Sequence, residues 1–193
     1  MSPEVYAAVI EAAQAINLPL AAPLVNLEDA KGLLSAGADF IAHSVRDAPV
    51  DHELIQLLRE TGVCYSPTLT REVSTFVYAS EPEFFSDPFF LAHADSSVLD
   101  ALRTPEKQQQ YRDSPTAPRY KEALRMAQAN LKALADACVT IAFGTDSGPP
   151  ARFQGYFEHM EAELMAAAGL SPDQILRSAT GGAAKCLGLD DIG

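Results

Sequence analysis

The feature that most narrows what this chain can fold into is a strand-helix unit that repeats. Leu18 to Ala22 is a short apolar run, and Asn26 follows it as a helix N-cap. Leu27, Ala30, Leu33 and Leu34 then share one helical face, and Gly37 is the stop. The unit returns at once: Phe40 to His43 reads as a strand, a loop runs through Arg46 and Asp47, and a helix spans about Asp51 to Thr61 before Gly62. Val63 to Leu69 is a third strand, with Pro67 near its end, where a missing N–H is tolerated. Val139 to Phe143, running into Gly144-Thr145-Asp146, is a fourth. Ser2-Pro3-Glu4 is a helix start with Met1 directly against it, and further helices are expected at about Arg119 to Ala137, Tyr156 to Ala168 and Pro172 to Leu187.

Strands alternating with helices of this size demand a parallel sheet, either open and doubly wound or closed into a (β/α)8 barrel. No strand is followed by a glycine-rich phosphate loop or a dinucleotide fingerprint, so the nucleotide-binding form loses ground. A full barrel takes about 250 residues. The expectation is therefore an α/β fold, a partial (β/α)8 TIM-type barrel holding about the last four strand-helix units. Residues 1–193 would form one incomplete barrel domain, interrupted by a long insertion at about 70–118. Such a half-barrel leaves two hydrogen-bonding edges open, which invites a second copy or a partner chain.

The insertion is rich in aromatics and prolines, among them Phe76, Tyr78, Phe84, Phe85, Phe89 and Phe90. A connection this long in a compact domain usually serves as a lid or binding loop. Composition restricts partners. With 26 acidic against 14 basic residues the net charge is −12, which repels nucleic acid and anionic membranes and leaves a small molecule or dipeptide as the substrate class. No run approaches the roughly 20 apolar residues of a membrane span. Cys64, Cys138 and Cys186 are odd in number and set in apolar stretches, so they read as buried thiols of a reducing compartment, the cytoplasm.

In barrels of this kind reactive groups sit at the C-terminal ends of strands, and here those ends carry His43, Thr68 and Asp146. An imidazole and a carboxylate suit zinc or a similar divalent ion, which lowers the pKa of bound water to about 7. The bland alternatives are a structural histidine and an aspartate that caps a helix. Arg46 either anchors a substrate carboxylate or forms a loop ion pair with Asp47. His52 and Glu53 read as solvated helix residues, and His159 as a surface or packing residue. His93, in the insertion, is a minor candidate.

The words Phe40-Ile41-Ala42-His43-Ser44-Val45-Arg46-Asp47, Ser66-Pro67-Thr68-Leu69 and Ala142-Phe143-Gly144-Thr145-Asp146-Ser147-Gly148 resemble the amidohydrolase superfamily, nearest its imidazolonepropionase- and prolidase-related members. Glu161-Ala162-Glu163-Leu164 and Ser178-Ala179-Thr180 resemble the helices after its last barrel strand. The resemblance implies that His43 is the sixth strand's metal ligand, and that Asp146 is the last strand's aspartate, which binds metal and shuttles the proton. It also implies a divalent metal, zinc foremost, and hydrolysis of the C–N bond of an amide, cyclic amide or dipeptide. The family's His-x-His pair, carboxylated lysine and fifth-strand histidine are not assignable, and Pro23 stands where the last of these is expected. Leu189-Asp190-Asp191-Ile192-Gly193 resembles the point where the family's chain continues into a small β-sandwich. Weak or absent activity of this chain alone is the expectation; the alternative is a non-catalytic half-barrel that self-associates or pairs with a partner.

Overall fold

The computed structural model describes residues 2–189 and 191–192. Met1, expected against the first helix, lies outside them, as do Asp190 and Gly193 of the C-terminal word.

Helix α1 (Pro3–Ala15) opens on proline, and Ser2 precedes it in an extended conformation without a side-chain cap bond. Strand β1 (Ala21–Pro23), α2 (Leu27–Ala36), β2 (Phe40–Ala42), α3 (His52–Thr61) and β3 (Cys64–Ser66) then follow. The glycine stops work as the sequence implies. Gly37 takes φ 94° and ends α2, its N–H bonding the Leu33 and Leu34 carbonyls.

The strands run parallel in the order β1-β2-β3, with Ala22 opposite Ile41 and Ile41 opposite Tyr65. The fourth expected strand shrinks to one parallel bridge, Tyr65 to Ile141, beside β3. Its backbone is drawn elsewhere: Phe143 N–H donates to the Ser178 carbonyl rather than continuing the ladder. Neighbours in space are thus neighbours in sequence. A doubly wound sheet reverses its strand order at a switch point, whereas a barrel does not, so the order supports a barrel segment. Gly144 lets this last segment come close, because a Cβ there would meet Ser66 Oγ at 2.6 Å.

The insertion is not an irregular loop. It holds α4 (Leu69–Val73), two short 3-10 turns, α5 (Pro88–His93), α6 (Ser96–Arg103) and α7 (Pro105–Arg112). After it come α8 (Ala117–Asp136) and α9 (Tyr156–Ala167). The last expected helix is broken at Thr180 into α10 (Pro172–Ala179) and α11 (Gly181–Cys186), since Thr180, at φ −123° and ψ −102°, is not helical.

Two apolar cores result. An aliphatic one between sheet and helices gathers Ile41, Leu54, Leu58, Leu131 and Leu134 around Tyr65. An aromatic one under the insertion gathers Tyr78, Phe85, Phe90, Phe153 and Phe157, with Phe85 and Phe90 stacked at 5.5 Å. The insertion therefore packs on α9 and the loop before it rather than hanging free.

The cysteine reading needs correction. Cys64 of β3 and Cys186 of α11 are joined by a disulfide, and Cys138 is exposed. Sequence spacing hid this because 122 residues separate partners that the fold brings together. The pairing withdraws the thiol argument for a reducing compartment. Among the described residues no helix is long and apolar enough to cross a membrane.

Candidate functional site at the strand ends

His43, Thr68 and Asp146 each follow a strand or bridge, and each adopts a left-handed backbone, with φ of 70°, 48° and 57°. For a β-branched residue such as Thr68 this is costly, so the surroundings must impose it. The shared turn brings the three side chains together. His43 Nδ1 and Thr68 Oγ1 share a hydrogen bond of 2.7 Å, which leaves Nε2 facing Asp146, 4.0 Å from Oδ2. Burial, helped by the charges of Arg71, Arg46 and Arg152 and opposed by Asp146, pushes the imidazole pKa down to about 4. His43 is accordingly a neutral ring at physiological pH.

The loop after β2 is held by groups from distant parts of the chain. Tyr65 Oη accepts from Val45 N–H at 2.7 Å, and Ser44 Oγ donates to the Pro67 carbonyl at 2.8 Å. Asn130 of α8, buried, donates to the Val45 and Ala48 carbonyls and accepts from Val50 N–H, each at 2.9 Å. Arg46 and Asp47 do not pair with each other. Asp47 accepts from Leu27 N–H at 2.9 Å and so caps α2. The Arg46 guanidinium is buried, donating to the Leu24 and Ser44 carbonyls and lying 3.1 Å from Glu72 Oε1.

Glu72, also buried, takes a second guanidinium at the same oxygen, Arg71 at 3.0 Å, while its Oε2 has no hydrogen-bond partner among the described residues. Arg71 reaches on toward Asp146, with Nε 3.7 Å from Oδ2. Arg152 completes the cluster, bonding Asp146 Oδ2 directly and the Asp146 carbonyl at 3.0 Å.

Two glutamates of α9 support the floor. Glu161, fully buried, accepts from Leu69 N–H, Thr70 N–H and Thr70 Oγ1 at 2.8, 2.8 and 2.9 Å. Burial raises its carboxyl to about 7 although these donors oppose the shift. Glu158 accepts from the Thr145 and Ser147 hydroxyls at 2.8 and 2.7 Å; against its partial burial these bonds hold its pKa below the ordinary value. Arg71, Glu72, Arg152 and Asn130 are residues that sequence reasoning missed. Only the first two carried a signal, as charged residues just past a strand-end threonine.

The other candidates fall outside the cluster. Pro23 ends β1, paired with Ala42, and its ring supplies no donor atom. His52 is exposed at the start of α3, and Glu53 pairs with Lys31 at 2.7 Å. His159 packs edge-on against Phe89, ring centres 5.1 Å apart, as a packing residue would. His93 lines a cavity beside Arg152.

His43 and Asp146 fit a divalent ion in kind, a neutral imidazole nitrogen beside a carboxylate. Two protein donors are fewer than the three of an ordinary catalytic zinc site, and no group of three or more His, Cys, Asp or Glu is placed to hold a metal among the described residues.

The family model of the amidohydrolase family matches residues 1–193, so the chain belongs to that family. Among solved structures, a Xaa-Pro dipeptidase with bound methionine in its active site aligns at 23% identity and TM-score 0.66, covering 100% of this chain and 40% of that one. Ochratoxinase from A. niger aligns at 20% and 0.62, covering 97% and 34%, and molinate hydrolase at 18% and 0.65, covering 100% and 38%. These likenesses support the partial-barrel fold, and the chain spans about two-fifths of the length of the dipeptidase. No curated protein matches.

Proposed function

We propose that this chain carries the second-half catalytic apparatus of a metal-dependent hydrolase that cleaves a C–N bond in an amide, cyclic amide or dipeptide. The observation that carries the reading is the convergence of His43 and Asp146 from two strand ends to 4.0 Å, both in left-handed backbone conformations. Family membership supports the reaction class, and the dipeptidase likeness favours a small substrate. His43 Nε2 and the Asp146 carboxylate would contribute to holding a divalent ion, zinc foremost, with the remaining donors coming from outside these residues. Such an ion supplies a water acidic enough to attack a carbonyl. Asp146 accepts the proton of the attacking water and returns it to the leaving amine. Thr68 fixes the imidazole orientation through Nδ1. Arg46 serves by anchoring Glu72 and the loop after β2, and so bears on substrate only indirectly.

Zn2+-dependent hydrolysis of N-acyl amino acids and dipeptides by the full chain tests this. The expected result is a slow reaction that needs the metal and is lost in both His43→Ala and Asp146→Asn. A reaction indifferent to zinc and to both substitutions overturns it.

A second reading rests on the sheet edges. An apolar groove of about 200 Å³ runs beside the outer edge of β1, lined by Tyr6, Val9, Ile10 and Leu20 among others, and includes neither His43 nor Asp146. It suits pairing with a second copy or with the remaining strands of a barrel. A stable dimer by sedimentation that binds no zinc would favour an assembled, non-catalytic half-barrel.

A further inference from the structure

Two guanidinium groups meet one carboxylate at Asp146. Arg152 bonds it through Nη1, and Arg71 Nε stands 3.7 Å from the same oxygen. Arg152 Nε is spent on Ser74 Oγ at 3.3 Å, and Arg71 Nη1 on Glu72. Among the described residues neither Nη2 nitrogen donates a hydrogen bond, so each fork keeps a free tine. Counting Arg46, three guanidiniums touch only two carboxylates, Glu72 and Asp146. Glu158, on the Thr145 and Ser147 hydroxyls that flank Asp146, supplies a third carboxylate, so what the cluster leaves open is the two unused guanidinium N–H groups rather than a surplus charge.

A cavity of about 350 Å³, within the range of small-molecule sites, lies between the insertion and the loop after Asp146. His93, Asp95 and Val98 line it from one side, and Arg152 and Gln154 from the other. Arg152 thus belongs both to the cavity wall and to the Asp146 ion pair. The loop it rides on, from Asp146 to Gly155, has four left-handed residues, Asp146, Gly148, Ala151 and Gly155, and is tied to the insertion by Tyr78 Oη donating to the Ala151 carbonyl at 2.6 Å.

We infer that Arg71 and Arg152 form a binding site for the carboxylate of a small molecule entering through this cavity, and that Asp146 is the site's internal occupant when no ligand is present. A planar guanidinium fork matches a carboxylate with two parallel hydrogen bonds, so a ligand carboxylate competes with Asp146 on equal chemical terms. Its arrival draws Arg152 off Asp146. The inference rests on the proposed use of this site for substrate, and it narrows that substrate to molecules with a free carboxylate. It is read out by binding, independently of turnover.

The experiment is calorimetric titration of the full chain with N-acetyl-L-alanine and with its uncharged methyl ester. The acid is expected to bind at least tenfold more tightly than the ester, and Arg152→Gln to remove that preference. Asp146→Asn, which removes the internal competitor's charge and suits a left-handed position, is expected to tighten acid binding severalfold. If Arg152→Gln does not fold, Arg71→Gln and Asp146→Asn decide the matter. Equal affinity for acid and ester, no acid binding, or weaker binding in Asp146→Asn overturns the inference. Acid-selective binding together with hydrolysis indifferent to zinc and to His43→Ala would leave it standing while removing the hydrolase reading; zinc-dependent hydrolysis with equal binding of acid and ester would do the reverse.

Discussion

Two arginine-carboxylate pairs lie within one cluster and differ in their exposure. Arg46 and Glu72 show 4% and 2% of their side-chain surface, whereas Arg152 and Asp146 show 18% and 36%. The chemistry is the same, but the consequences are not. A buried pair cannot exchange either partner for water, so it fixes the loop after β2 and contributes nothing that a ligand can reach. A half-exposed pair is screened and replaceable, and so is suited to open when a competing ion arrives. Position along the chain does not predict which is which: Arg71 and Glu72 are adjacent, yet one faces the site and the other is sealed beneath it.

The largest expected effect comes from breaking the buried pair. Glu72→Ala strands the Arg46 charge, and the loss is expected at about 3–5 kcal/mol in urea unfolding. A cost under 1 kcal/mol would mean the pair is wetter than its geometry implies, and the contrast would fail. Glu161 sharpens the comparison as a buried acid with no cation beside it. Its folded pKa of about 7 exceeds the unfolded value of 4.5, so the native state binds the proton more tightly. Stability is therefore greatest below pH 4.5 and declines as pH rises to about 7, by on the order of 3 kcal/mol from this group. Wild type should lose that increment relative to Glu161→Gln between pH 5 and 8, and parallel pH profiles would refute it.

Asn130→Ala is next, at about 1–3 kcal/mol, because it leaves the Val45 and Ala48 carbonyls and Val50 N–H without their partner. Rescue by Asn130→Asp is not expected, since an aspartate donates to neither carbonyl. The smallest effect belongs to the exposed pair: Arg152→Gln should change unfolding free energy by about 1 kcal/mol or less. A loss matching that of Glu72→Ala would erase the distinction between the two pairs.

Much of the architecture is legible in the amino-acid sequence. Gly37, Asp51 and Gly62 bound α2 and α3 as caps and stops that act within a few residues of where they stand, whereas Asn26 precedes α2 without a side-chain cap bond and the distant Asp47 takes that role. His43, Thr68 and Asp146 were legible as strand-end groups for the same local reason. The fourth strand was not, since Val139 to Phe143 has strand-like residues but loses its ladder to a contact with Ser178. Nor was the order inside the insertion. Its aromatics follow no single period, and they find one another only when α9 brings Phe153, Tyr156 and Phe157 beneath them.

The sequence by itself determined the alternation of strand and helix, the bounds of α2 and α3, and the presence of an imidazole, a hydroxyl and a carboxylate at three strand ends. All of these depend on neighbours a few residues away. Only the tertiary structure decided that Arg71 and Arg152 converge on Asp146, that Arg46 is sealed against Glu72, and that Cys64 meets Cys186. Those outcomes depend on which surfaces lose water together, and that is set by contacts between residues up to 122 positions apart rather than by any local pattern.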